Sequence, residues 1–106
     1  MSTLTTTLSG KVSTKANVYF DGKCVSHGIE LADGTKKSVG VILPSTLKFN
    51  TGAPEIMELI DGACRVKLAG SDTWTAYAGG QSFNVPGDSS FDIEVTQALH
   101  YICHFG

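Results

Sequence analysis

Glu55 is a carboxylate that could do chemistry. It follows the break Gly52-Ala53-Pro54 and opens a run in which Glu55, Met57 and Leu59 alternate against Ile56, Glu58 and Ile60. Lys36-Lys37-Ser38 enters a second strand-like run. Such a pair of ammonium groups beside a hydroxyl can hold a small anion such as phosphate whatever the total charge. His27, His100 and His104 are the imidazoles, and Cys24, Cys64 and Cys103 the thiols. A transition metal would need such groups converging on one point. The histidines read as surface or rim residues, with a site built from two of them and Glu55 as the less favoured alternative. The cysteines are odd in number and lack a C-x-x-C pair, which reads as reduced thiols in a cytosol, each filling core space as a small hydrophobe.

These groups have to be positioned by strands. At 106 residues the chain is one domain, able to bury about 65% of its unfolded surface. Val18-Tyr19-Phe20 and its neighbours alternate with turn signals at Asp21-Gly22 and Asp33-Gly34. The run from Lys36 to Leu43 ends at Pro44-Ser45, and Leu47, Phe49 and Thr51 then share one face. An Asp61-Gly62 turn separates the Glu55 run from Cys64, Val66 and Leu68, which alternate with Arg65 and Lys67; Arg65 reads as an outward, solvated residue. Trp74–Tyr77, Ser82–Pro86 and the alternating Phe91, Ile93 and Val95 follow, and the chain closes on Leu99 to Phe105. No helical period of useful length appears, and 12 glycines punctuate the chain. Short strands about 8–12 residues apart indicate an all-β sandwich or barrel. Residues 1–9 read as a flexible tail and 10–106 as the domain. A net charge of −2 argues against a nucleic acid or an anionic membrane as partner. The first residues do not read as a signal peptide, no apolar run is long enough for a spanning helix, and the expected location is cytoplasmic.

Phe49-x-Thr51, Glu55 and Gly62 have the spacing of the first cupin motif, in which a His-x-His pair and a Glu bind a metal inside a small β-barrel. Gly80-x5-Pro86 matches the start of the second cupin motif, whose metal-binding His is here Phe91. The chain therefore resembles a single-domain cupin, a small double-stranded β-helix or jelly-roll barrel, with the frame kept and the imidazoles replaced. The resemblance implies that Glu55 faces the barrel interior and that no metal is held there.

Read whole, the chain resembles the small cupin-type pyrimidine/purine nucleoside phosphorylases of bacteria. The resemblance is carried by Ser38-Val39-Gly40-Val41, Phe49-x-Thr51-x2-Pro54-Glu55-x-Met57 and Gly62-Ala63-Cys64-x-Val66. It continues through Trp74, Gly80-x2-Phe83-Asn84-Val85-Pro86-Gly87, Ser90-Phe91 and Tyr101-x-Cys103. Two positions depart from it: Lys36 and His104 stand where the family often carries Arg, and neither offers a bidentate fork. The resemblance implies phosphorolysis of nucleosides of broad base range by homodimers, with orthophosphate as co-substrate and no cofactor.

That chemistry needs an anion under the anomeric carbon, a partner for the ribose hydroxyls and an apolar slot for the base, because positive charge develops on the sugar. Glu55 and Thr51 are the expected catalytic residues, with Glu55 holding the ribose hydroxyls. Lys36, Lys37, Ser38 and His104 are candidates for the anion, Phe49 and Phe91 for flanking the base, and Tyr101 for the mouth beside Cys103. Trp74 reads as packing or interface. The competing readings are a non-catalytic cupin that binds a small molecule and a metal-dependent cupin with relocated ligands.

Overall fold

The computed structural model describes residues 7–105. Among these residues nine strands form one antiparallel sheet: β1 (Lys11–Val12), β2 (Asn17–Tyr19), β3 (Cys24–Glu30), β4 (Lys36–Ile42), β5 (Ser45–Asn50), β6 (Glu55–Leu68), β7 (Thr75–Ala78), β8 (Ser82–Val85) and β9 (Ser90–Phe105). The order β1-β3-β4-β9-β6-β7 runs along the sheet, with β2 on β3, β5 on β9 and β8 on β6. The strand pattern predicts an all-β sandwich or barrel and the motif resemblance a cupin-type barrel, and the chain forms the all-β cupin-type fold. The expected tail, 1–9, falls mainly outside the described residues.

The turn signals act as their chemistry requires. In the β3–β4 hairpin Gly34 has φ 86°, which a residue without a side chain adopts freely, and Asp33 Oδ1 accepts a 2.9 Å bond from the Thr35 amide. At Asp61-Gly62, in contrast, the chain does not turn back. β6 continues through it as a single strand of 14 residues, irregular in register between Leu59 and Cys64. The buried positions are Met57 and Leu59 before this bulge and Cys64 and Val66 after it, so the bulge exchanges the inward-facing parity. β9 likewise runs unbroken for 16 residues, where the sequence suggested two separate runs.

Each half of these long strands has its own neighbours. The C-terminal half of β9 pairs with β4 and with the start of β6, whereas its N-terminal half pairs with β5 and with the end of β6. The two halves of the sheet fold toward each other around one core. Leu59 and Leu99 from one half and Ile93 from the other are fully buried there. Burying one such side chain stabilises the fold by about 1.5–3 kcal/mol.

Gly62 makes the bulge possible. Its φ is 106°, and a β-carbon there would lie 2.2 Å from the Ala98 carbonyl oxygen, a backbone atom that cannot step aside cheaply. Gly62→Ala is therefore expected to cost at least about 2 kcal/mol, from backbone strain and displacement of β9. Urea denaturation measures this as a lowered midpoint; an unchanged midpoint would mean that the bulge relaxes freely.

Candidate functional site

The inner face of β3, β4, β9 and β6 builds the site row by row. Register places Ser26 beside Gly40, Gly40 beside Tyr101 and Tyr101 beside Leu59. The next row runs Gly28, Ser38, Cys103 and Met57, with Glu55 diagonal to Cys103 on β6. Phe49 and Phe91, paired across β5 and β9, approach from the other half of the sheet. Together these surfaces enclose a cavity of about 210 Å³ whose lining includes Ser38, Phe49, Glu55, Phe91, Tyr101 and Cys103. Ser26 and Asn50 also line it, and Tyr19 and Phe105, both about half exposed, border it.

Glu55 is only partly exposed, and burial raises its carboxyl above the usual range for a glutamate, opposed by a hydrogen bond with the Cys103 side chain. Cys103 is itself pushed up to about 12, first by burial and then by the Glu55 charge, so it stays a thiol. The Tyr101 hydroxyl lies 3.6 Å from Cys24 Sγ and also bonds the Ser26 side chain, and burial keeps it protonated. Gly40 makes room for this phenol: a β-carbon there would sit 2.8 Å from the Tyr101 hydroxyl and 2.5 Å from the Val25 carbonyl oxygen. The cavity thus presents a carboxyl and neutral O–H and S–H groups beside an aromatic wall.

Phe49 and Phe91 stack on each other, centroids 5.4 Å apart and planes 20° from parallel. A base inserted between them would need about 7 Å, two carbon–carbon contact distances. The stacked pair therefore leaves no room between its two rings for a base flanked by Phe49 and Phe91, the arrangement that the sequence suggested.

Thr51 is engaged elsewhere. Its hydroxyl donates to the Pro86 carbonyl at 2.7 Å and accepts from the Ser89 amide at 2.9 Å, clamping the loop before β6 to the loop after β8. With its only proton given to Pro86, it has none for a phosphate or a sugar. His104 also has a different place. Strand alternation turns it to the outer face of the sheet, where Nε2 is 2.9 Å from Glu58 Oε1 and Nδ1 meets the Lys37 ammonium. Lys37 and His104 thus form a line with Glu58, with the sheet between that line and Glu55. Lys36 stays on the inner side and, together with Lys37, borders a groove of about 620 Å³ that Ser26 and Ser38 share with the cavity. Arg65 is exposed, bonded to Glu94 at 2.8 Å and set over the Trp74 ring at 4.7 Å, an outward packing arrangement.

The residues do not fit the metal that the cupin frame implies. Phe49, Thr51 and Phe91 offer no transition-metal ligand, leaving Glu55 alone. His27, whose Nδ1 lies 2.9 Å from the Ser13 carbonyl oxygen, and His100 both line a groove on the outer face. Neither reaches Glu55 through the sheet. No cluster of three His, Cys, Asp or Glu side chains among the described residues could hold a metal ion.

Sequence reasoning missed Ser26, Tyr19 and Phe105. Ser26 had a usable signal, the in-phase spacing Cys24-x-Ser26-x-Gly28 on one strand. Tyr19 and Phe105 are brought to the mouth by pairing with Cys24 and Glu55, respectively, and no local pattern announces that.

The family model described as pyrimidine/purine nucleoside phosphorylase matches residues 14–105. A curated relative of that name from Aromatoleum aromaticum is 74% identical over 96 residues, 90% of each chain. Another from Leptothrix cholodnii is 65% identical over 104 residues, covering 97% of this chain and all of that one. Among solved structures, a protein of unknown function from Acinetobacter sp. ADP1 superposes with TM-score 0.89 at 51% identity, over 91% of this chain and 93% of its own. The fold alone extends to Fe(II) HppE, at 11% identity and TM-score 0.72 over 87% of this chain and 55% of that one.

The raised carboxyl of Glu55 has a sign that stability can test. A group that binds its proton more tightly when folded loses stability as pH rises from the ordinary carboxylate value through the folded one. Glu55→Gln removes that loss. Its melting temperature should therefore rise relative to the unsubstituted protein between about pH 4 and neutrality. A constant or reversed difference in thermal melts would show that burial does not perturb Glu55.

Proposed function

The chain belongs to the pyrimidine/purine nucleoside phosphorylase family, and we propose that it transfers the pentose of purine and pyrimidine nucleosides to orthophosphate. The observation that carries this reading is the meeting of Glu55, the Ser26 and Ser38 hydroxyls and an aromatic wall in one cavity. A phosphate oxygen attacks the anomeric carbon, the carbon–nitrogen bond breaks, and the base leaves with the bonding electron pair and takes up the proton that the hydrogen phosphate gives up. Glu55 accepts hydrogen bonds from the ribose hydroxyls, and its negative charge favours the positive charge developing on the sugar. Phe49 offers its ring to any base, because every base has a π face. The anion lies toward the groove, where Ser38 and Lys36 supply donors. No step is assigned to a metal, since the residue set has too few ligands for one.

The outer face of β3, β4 and β9 carries a groove of about 530 Å³ lined largely by Val25, Val39, Val41 and Ile102. The reading includes the homodimer that the family resemblance implies, for which this apolar face offers a seam, and a cytoplasmic location. Among the described residues no helix is long and apolar enough to cross a membrane.

Four outcomes are expected. Mixed nucleosides should release free base only when phosphate is present, read by liquid chromatography; equal release without phosphate would indicate hydrolysis, and none at all a binding module. Exhaustive chelation should leave the rate unchanged, whereas a loss of about tenfold reversed by one divalent ion contradicts the metal-free site. Lys36→Ala should raise KM for phosphate more than KM for nucleoside; an unchanged phosphate dependence would move the anion away from Lys36. Glu55→Gln, which keeps shape and loses charge, removes a charge-assisted bond of about 1.5–3 kcal/mol and should lower kcat/KM by about 10- to 150-fold. A folded variant with full kcat/KM on both uridine and adenosine would leave Glu55 with a structural role only.

A further inference from the structure

Phe20 occupies a backbone position that local stability does not explain. Phe20, Asp21 and Gly22 take consecutive positive φ angles of 52°, 54° and 91°. Glycine accepts this region freely and aspartate tolerates it, but a bulky aromatic is disfavoured there because its β-carbon crowds the following carbonyl. Full burial does not compensate, since Phe20 remains 43% exposed.

Its ring has a specific partner. Phe20 meets Phe49 with centroids 5.2 Å apart and planes at 78°, the favourable edge-to-face arrangement. Phe49 in turn stacks on Phe91, and both line the cavity that holds Glu55. Phe49 is thus fixed by two rings in different orientations, one lining the cavity and one on a strained turn at the surface. Strain that persists at a residue touching a site wall is the kind that serves the site and not the fold.

We propose that Phe20 is a positioning residue for the nucleobase, holding Phe49 at the tilt from which its ring meets a purine or a pyrimidine. The inference rests on the phosphorylase reading and adds to it a residue outside both cupin motifs. Without Phe20 the Phe49 ring recovers rotational freedom, and a base binding to it has to restore the order that was lost. The effect falls on nucleoside binding and not on the anion, and it is larger for purines, whose π face is larger.

Two variants keep the backbone while removing the ring, Phe20→Asn and Phe20→Gly, because both residues accept a left-handed conformation. Phe20→Tyr keeps the ring. Steady-state kinetics and calorimetric titration of adenosine without phosphate are compared with the unsubstituted protein. The Asn and Gly variants should show KM and Kd for adenosine raised about tenfold, a smaller rise for uridine, and an unchanged KM for phosphate. The Tyr variant should match the unsubstituted protein. An unchanged adenosine KM in the Asn and Gly variants, equal changes for adenosine and phosphate, or an equally impaired Tyr variant overturns the inference while leaving the phosphorylase reading intact. An unsubstituted protein that neither binds adenosine nor releases base overturns both.

Discussion

The antiparallel pairing of β6 with β9 is the constraint on which the rest of the molecule depends. It runs from Glu55 opposite Phe105 to Leu68 opposite Phe91, interrupted only by the bulge around Gly62. Because the bulge exchanges parity in β6, inward-facing side chains stay inward on both sides of the fold. The start of β6 then delivers Glu55 next to Cys103, and the end of β6 supports Phe91, whose ring reaches the same cavity from the other half. A strand turning back at Gly62 would give two unconnected hairpins and would not carry Glu55 and Phe91 on one ladder.

A carboxyl in such a setting is held by compromise. Burial works against the charge on Glu55, and the hydrogen-bond partner that opposes this effect is the Cys103 thiol. The fold accepts this because the cavity is open to solvent past Tyr19 and Phe105, so desolvation is incomplete. A hydroxyl-rich ligand would add hydrogen bonds to the carboxyl beyond the one with Cys103. The outer-face histidines serve different ends, with His104 tied between Lys37 and Glu58.

Period-two alternation made the strands legible in the sequence, and Asp33-Gly34 announced its hairpin because turn chemistry is local. The continuity of β6 was not legible in the same way. The shift from buried Leu59 to buried Cys64 is visible in the sequence, but a turn and a bulge produce the same shift, and Asp61-Gly62 suits both. Only the partner strand decides, since β9 bonds to both sides. For the site, Glu55, Phe49, Phe91, Ser38 and Tyr101 could be named from motif positions and meet at one cavity. Thr51 and His104 could not be resolved: the first depends on which carbonyl its hydroxyl finds, and the second on which side of β9 faces the core. Phe20 lies about 30 residues from Phe49, the ring that it meets, beyond the reach of local pattern.

The central claim is that the sugar lies on Glu55 with the base against Phe49, inside the folded sheet. A crystal structure with a C-nucleoside, whose carbon–carbon glycosidic bond resists cleavage, together with phosphate tests it most directly. The account predicts ribose hydroxyls within hydrogen-bonding distance of the Glu55 carboxylate, the base ring against Phe49 and the anion on the Ser38 side. A nucleoside bound in the outer-face groove, or in the cavity with its ribose turned away from Glu55, would contradict it.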